Sequence, residues 1–120
     1  MSNIEYTVEL DNPLSSSKIG SVSGDINVSF YKNNKLSKDI PMVEINDALR
    51  TVICNSKIKI SPYNISEDNG NFKIVMPNNI KGNLANLIIV KTLTTVGLKY
   101  KCASCKIDIK GNLKTICFHH

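Results

Sequence analysis

Apolar and polar residues alternate with a period of two along much of this chain, the pattern of strands that bury one side. Ile4, Tyr6, Val8 and Leu10, separated by Glu5, Thr7 and Glu9, predict a first such strand, and the Asp-Asn-Pro run that follows predicts a turn. The polar, glycine-bearing stretch 15–24 reads as a loop or an irregular edge segment. Ile26, Val28 and Phe30 resume the alternation, and the Lys- and Asn-rich run 31–39 predicts a turn. Ile58 and Ile60 alternate with Lys57 and Lys59, and 72–76 forms another strand that Pro77 stops, entered through a turn over 66–70.

Two stretches resist assignment. Asp47, Ala48, Leu49 and Arg50 favour helix, whereas Val52, Ile53 and Cys54 are good strand material, so a short helix or turn at 44–49 followed by a strand is expected. Leu84, Leu87, Ile88 and Lys91 have helical spacing. The β-branched residues Ile88, Ile89, Val90, Thr92, Thr94, Thr95 and Val96 oppose it, leaving a helix over 84–92 or a buried strand, ended in either case by Gly97. Strands around 98–100, 106–110 and 113–118, with Gly111-Asn112 as a tight turn, close the chain in a hairpin.

The series of short strands predicts a mostly β or strand-dominated α+β fold: a compact antiparallel barrel or sandwich with one short helix near 84–92 and a C-terminal hairpin. At 120 residues, 1–120 reads as a single globular domain with room for a hydrophobic core. A composition of 42% hydrophobic and 21% charged residues agrees. No basic, apolar leader opens the sequence, and the run 84–90 is too short to span a bilayer, so a cytoplasmic or otherwise intracellular protein without membrane insertion is expected.

Charge divides the chain. Residues 1–50 carry five basic and seven acidic side chains, a net of −2; residues 51–120 carry ten and three, a net of +7. Lys57, Lys59, Lys73, Lys99, Lys101 and Lys106 fall on predicted strands or their ends and would form a phosphate-binding surface if they shared a face, with Tyr63 or Tyr100 for stacking. Arg50 is the one arginine, so such a surface would read bases poorly. A solvated sheet face with no ligand has the same pattern.

The sharpest local chemistry lies near the end. Cys102, Cys105, Cys117 and His119 have the ligand types of a Cys3His zinc site, and a hairpin over 98–120 would carry the second pair back to the first. A structural zinc is the cofactor this spacing predicts. The same cysteines also read as buried packing residues or as a dithiol redox pair, although no helix follows Cys105 to stabilise a thiolate. Asp108 is the one acid in the last fifty residues, and the two histidines occupy the final two positions, so no catalytic residue is assigned. Low-specificity nucleic-acid association through the basic half is the first functional expectation. The alternative is a protein-interaction or inhibitory accessory module, of the kind viruses and phages encode, that takes its partner on an edge strand or in an apolar groove.

Overall fold

Alternation decides the centre of the molecule. In the computed structural model, which describes residues 24–57, 59, 63–77, 82–109 and 111–119, Ile26, Val28 and Phe30 lie buried on one side of β1 (Gly24–Lys32). Asp25 and Asn27 on its other side are exposed. A strand patterned this way needs an apolar cover on one side only. Asn33 and Asn34 then take positive φ values of 53° and 63° and turn the chain into β2 (Lys35–Leu36). Asparagine tolerates the left-handed backbone that so tight a hairpin requires.

α1 (Met42–Asn55) follows, then a hairpin of β3 (Asn64–Asp68) and β4 (Asn71–Met76), α2 (Gly82–Lys99), and a hairpin of β5 (Ser104–Ile109) and β6 (Asn112–Cys117). The sheet runs β3-β4-β1-β5-β6, antiparallel throughout, with β2 paired to the far end of β1. Register aligns the inward side chains in rows. Ile65, Ile74, Ile26 and Ile109 form one, Phe72, Val28 and Ile107 the next, and Phe30, Cys105 and Ile116 a third. The middle row meets a charge at either margin of the sheet, Glu67 on β3 and Lys114 on β6.

Both helices cover this one side: Ile45 and Leu49 of α1, with Ala85, Ile88, Ile89, Leu93 and Val96 of α2, join the rows in a continuous core. The strand-dominated α+β class and the C-terminal hairpin expected from the pattern are both present. Among the described residues the sheet is single and open, with helices in the place a second sheet or barrel closure would take.

The helices differ from expectation in extent. Val52, Ile53 and Cys54 continue α1 instead of starting a strand, because Ile45, Leu49 and Val52 form a helical stripe against the core. Burial likewise settles α2, which is longer than 84–92. Thr92 and Thr95 donate their hydroxyls to the carbonyls of Ile88 and Lys91, each at 2.8 Å, so their polar groups are accommodated inside the helix. Packing overrides the weak helix preference of the β-branched residues. Gly97 does not end the helix, which continues to Lys99 and replaces the strand expected at 98–100. It is a contact point: a Cβ here would overlap the ring of Phe118. That ring stacks on Phe30 at 6.4 Å between centroids, and Phe30 meets Phe72 edge-on at 6.3 Å.

The strand expected at 4–10 lies outside the described residues, as do Ile58 and Ile60. Among the described residues no helix is long and apolar enough to cross a membrane.

Candidate functional site

The end of α2 fixes the first cysteine. Lys101 takes φ 56°, the Lys101 N–H donates to Leu98 O (3.2 Å), and the Cys102 N–H reaches back to Gly97 O (2.9 Å). This pair of bonds closes a helix through a left-handed residue and normally sets an apolar contact just beyond it. Cys102 is in that position and is fully buried. Cys105, in β5 opposite Ile116, is buried too, and burial pushes both thiols up from their ordinary range, Cys105 much the further.

The hairpin register separates the remaining candidates. Cys117 is paired with Ser104, so it projects from the side of the sheet opposite to Cys105 and is exposed; His119 is exposed as well. Among the described residues no three His, Cys, Asp or Glu side chains gather as ligands of one ion. Cys102 and Cys105 both pack within the core, and the Cys102 thiol lies 4.0 Å from the Tyr100 carbonyl oxygen.

The lysines are dispersed. Lys57, with φ 56°, and Lys59 follow the end of α1, whereas Lys99 is the last residue of α2 and Lys101 lies just beyond it. Lys99 binds Glu44, near the start of α1, at 2.8 Å, and this bond raises its pKa. The helix ends bearing these two pairs of lysines are therefore at opposite ends of the helical layer. Lys73 and Lys106 project from the uncovered side of the sheet. Lys73 pairs with Asp25 at 3.3 Å, and the Lys106 ammonium lies 4.8 Å from the Tyr31 ring centroid. Asn27, Ser29, Asn71, Asp108 and Leu113 line a shallow depression of about 190 Å³ with Tyr31 and Lys106; Lys73 lies outside it. With Asp25, Asp68 and Asp108 on the same side by register, this surface carries no excess of positive charge. Tyr63 donates its hydroxyl to Asn46 at 3.3 Å and packs against the core, and Tyr100 is also partly buried there.

A different surface stands out on the helical layer. Val52 of α1 and Leu87, Val90, Lys91, Thr94, Thr95 and Leu98 of α2 line a groove of about 450 Å³. Leu87 remains 51% exposed in this lining, beside other apolar groups. Thr94 is only 6% exposed, yet its hydroxyl has no hydrogen-bond partner among the described residues. The contrast with Thr92 and Thr95, which both bond back into the helix, is local to the groove wall.

The spacing of Leu87, Lys91, Thr95 and Leu98 carries this groove in the sequence, but it becomes visible only when 84–96 is read as helix. The Cys and Lys clusters were the more conspicuous signals, since residue type draws attention before geometry does. No protein-family model, curated protein or solved structure matches the chain.

Proposed function

We propose that this chain is a protein-interaction module that accepts a partner's apolar side chains in the groove between α1 and α2. The observation that carries the reading is Leu87, half exposed beside a groove of about 450 Å³ whose lining includes Val52, Val90 and Leu98. Burying such a side chain contributes about 1.5–3 kcal/mol, and a few together suffice to anchor a partner. The sheet margins support the groove over strand addition: Glu67 and Lys114 put charges on the inward side of the two edge strands, which disfavours pairing with another chain.

The reading is tested by selecting helical peptides from a display library on the folded protein and remeasuring binding to Leu87→Glu. Binders that are lost with Leu87→Glu, while its unfolding midpoint stays in place, are the expected result. If every binder tolerates this change, the groove is not the site.

Lys106 over Tyr31 favours a second reading, weak single-stranded nucleic-acid binding on the uncovered side of the sheet, with Lys73 two strands away. Fluorescence anisotropy with a labelled oligonucleotide should then give a log–log salt slope of roughly −1.4 for two phosphate contacts, and Lys106→Glu should remove binding. A salt-independent signal would eliminate this reading.

A further inference from the structure

We infer that the partner of the α1–α2 groove is an acidic amphipathic helix, which places a carboxylate on Lys91. This rests on the interaction reading above and adds the chemistry of the partner.

The groove runs along α2 from Leu87 to Leu98, about 16 Å at the helical rise, which is three turns of an opposing helix. Its apolar lining, Val52, Leu87, Val90 and Leu98, suits anchors spaced i, i+4 and i+7 on such a partner. The charged group on the groove wall then narrows the chemistry. Lys91 is exposed on the groove wall and has no ion pair among the described residues, whereas Lys73 and Lys99 each hold a carboxylate. A helix seated over the groove strips water from this ammonium, and a carboxylate at that point offsets the loss.

Thr94 offers the partner nothing: its hydroxyl is sealed within the groove wall, where neither water nor an incoming acceptor reaches it. Lys91 is the one charged side chain among the described residues that line the groove, and it sets the polarity of whatever enters.

A second copy of the chain fits less well. Lys91 lies near the middle of the stripe between Leu87 and Leu98, so two copies related by a two-fold axis across the groove would bring two ammonium groups together. A basic helix meets the same repulsion. An acidic helix meets neither.

The test is a display library of amphipathic helical peptides in which the apolar anchors are fixed and the flanking positions vary freely among Asp, Glu, Lys, Arg, Ser and Gln. Selection on the wild-type protein should enrich Asp and Glu beside the anchors. Binding of the selected peptides should weaken at least about tenfold with Lys91→Glu and stay within about twofold with Thr94→Val. Restoration by Lys91→Glu of peptides with Lys in place of their acids would fix the charge contact. Binders that need Leu87 yet show no acidic preference and ignore Lys91→Glu would overturn the acidic partner while leaving the groove as an interaction site. Absence of any binder that depends on Leu87 would overturn both.

Discussion

The two outer surfaces of this molecule are finished differently. On the uncovered side of the sheet most outward positions of β1, β4 and β5 are polar, Lys73 and Lys106 each have an internal partner, and one large apolar side chain, Leu113 of β6, is exposed. Apart from that leucine, water satisfies such a surface. On the helical side, Leu87, Met42 and Val43 are exposed, Lys91 has no ion pair among the described residues and a threonine hydroxyl next to the groove has no bond. The two surfaces enclose the same core, so stability alone does not account for their difference. The lesson is that a face with unsatisfied chemistry tells more about partners than a face with many charges.

The largest expected effect checks the covered and uncovered sides of β1 against each other. Phe30→Ala should destabilise by about 3–5 kcal/mol in urea unfolding, because it empties the centre of the aromatic row. Its neighbour Ser29→Ala should stay within about 0.5 kcal/mol. Equal losses would mean that the uncovered side is also packed.

Gly97→Ala tests how closely the helical layer sits on the C-terminal hairpin. The added methyl group meets the Phe118 ring, so a loss of about 1–3 kcal/mol is expected, with partial recovery in the Gly97→Ala/Phe118→Leu double variant. A neutral single variant would show that the ring moves aside freely.

Buried thiols give the covered side a pH signature. Burial raises the pKa of Cys105 in the folded state, so the folded protein keeps its proton while the unfolded chain loses it. The contribution is complete below the unfolded thiol pKa of about 8.5 and fades as pH rises above it, by up to about 1.4 kcal/mol per pH unit for one thiol. Comparing denaturation of the wild type and Cys105→Ala between these conditions isolates that slope. A thiol reagent should also modify the exposed Cys54 and Cys117 well before Cys102 and Cys105. Equal rates at all four would contradict the burial described here.

The smallest effect has the more unusual sign. Thr94→Val keeps the shape of the groove wall and removes a hydroxyl that has no partner, so the free protein should gain on the order of 1 kcal/mol. Thermal unfolding of this variant should therefore move upward by several degrees. A downward shift would indicate that the hydroxyl is satisfied in solution.

Much of the sheet was legible from alternation alone, since Ile26, Val28 and Phe30, and Phe72, Ile74 and Met76, each mark one buried side of a strand. The turns were legible where asparagine or glycine takes positive φ. What periodicity did not resolve was α2, whose β-branched residues favour strands locally but are buried in a helix. The cysteines show a different limit. Spacing along the chain counts candidate ligands, but the register of the β5–β6 hairpin decides their side, and it sends Cys105 inward and Cys117 outward. The groove was hidden for the same reason as α2: an exposed leucine acquires meaning only from neighbours one and two turns away.

The central place of β1 has a consequence in time. Its partner β5 lies on the order of 80 residues downstream, and a ribosome adds about 5–20 residues per second. Ile26, Val28 and Phe30 therefore spend several seconds outside the tunnel before their second neighbouring strand exists. Among the described strands, the one that ends up the most protected waits longest for its second neighbour, and its apolar side is open to chaperones throughout that interval.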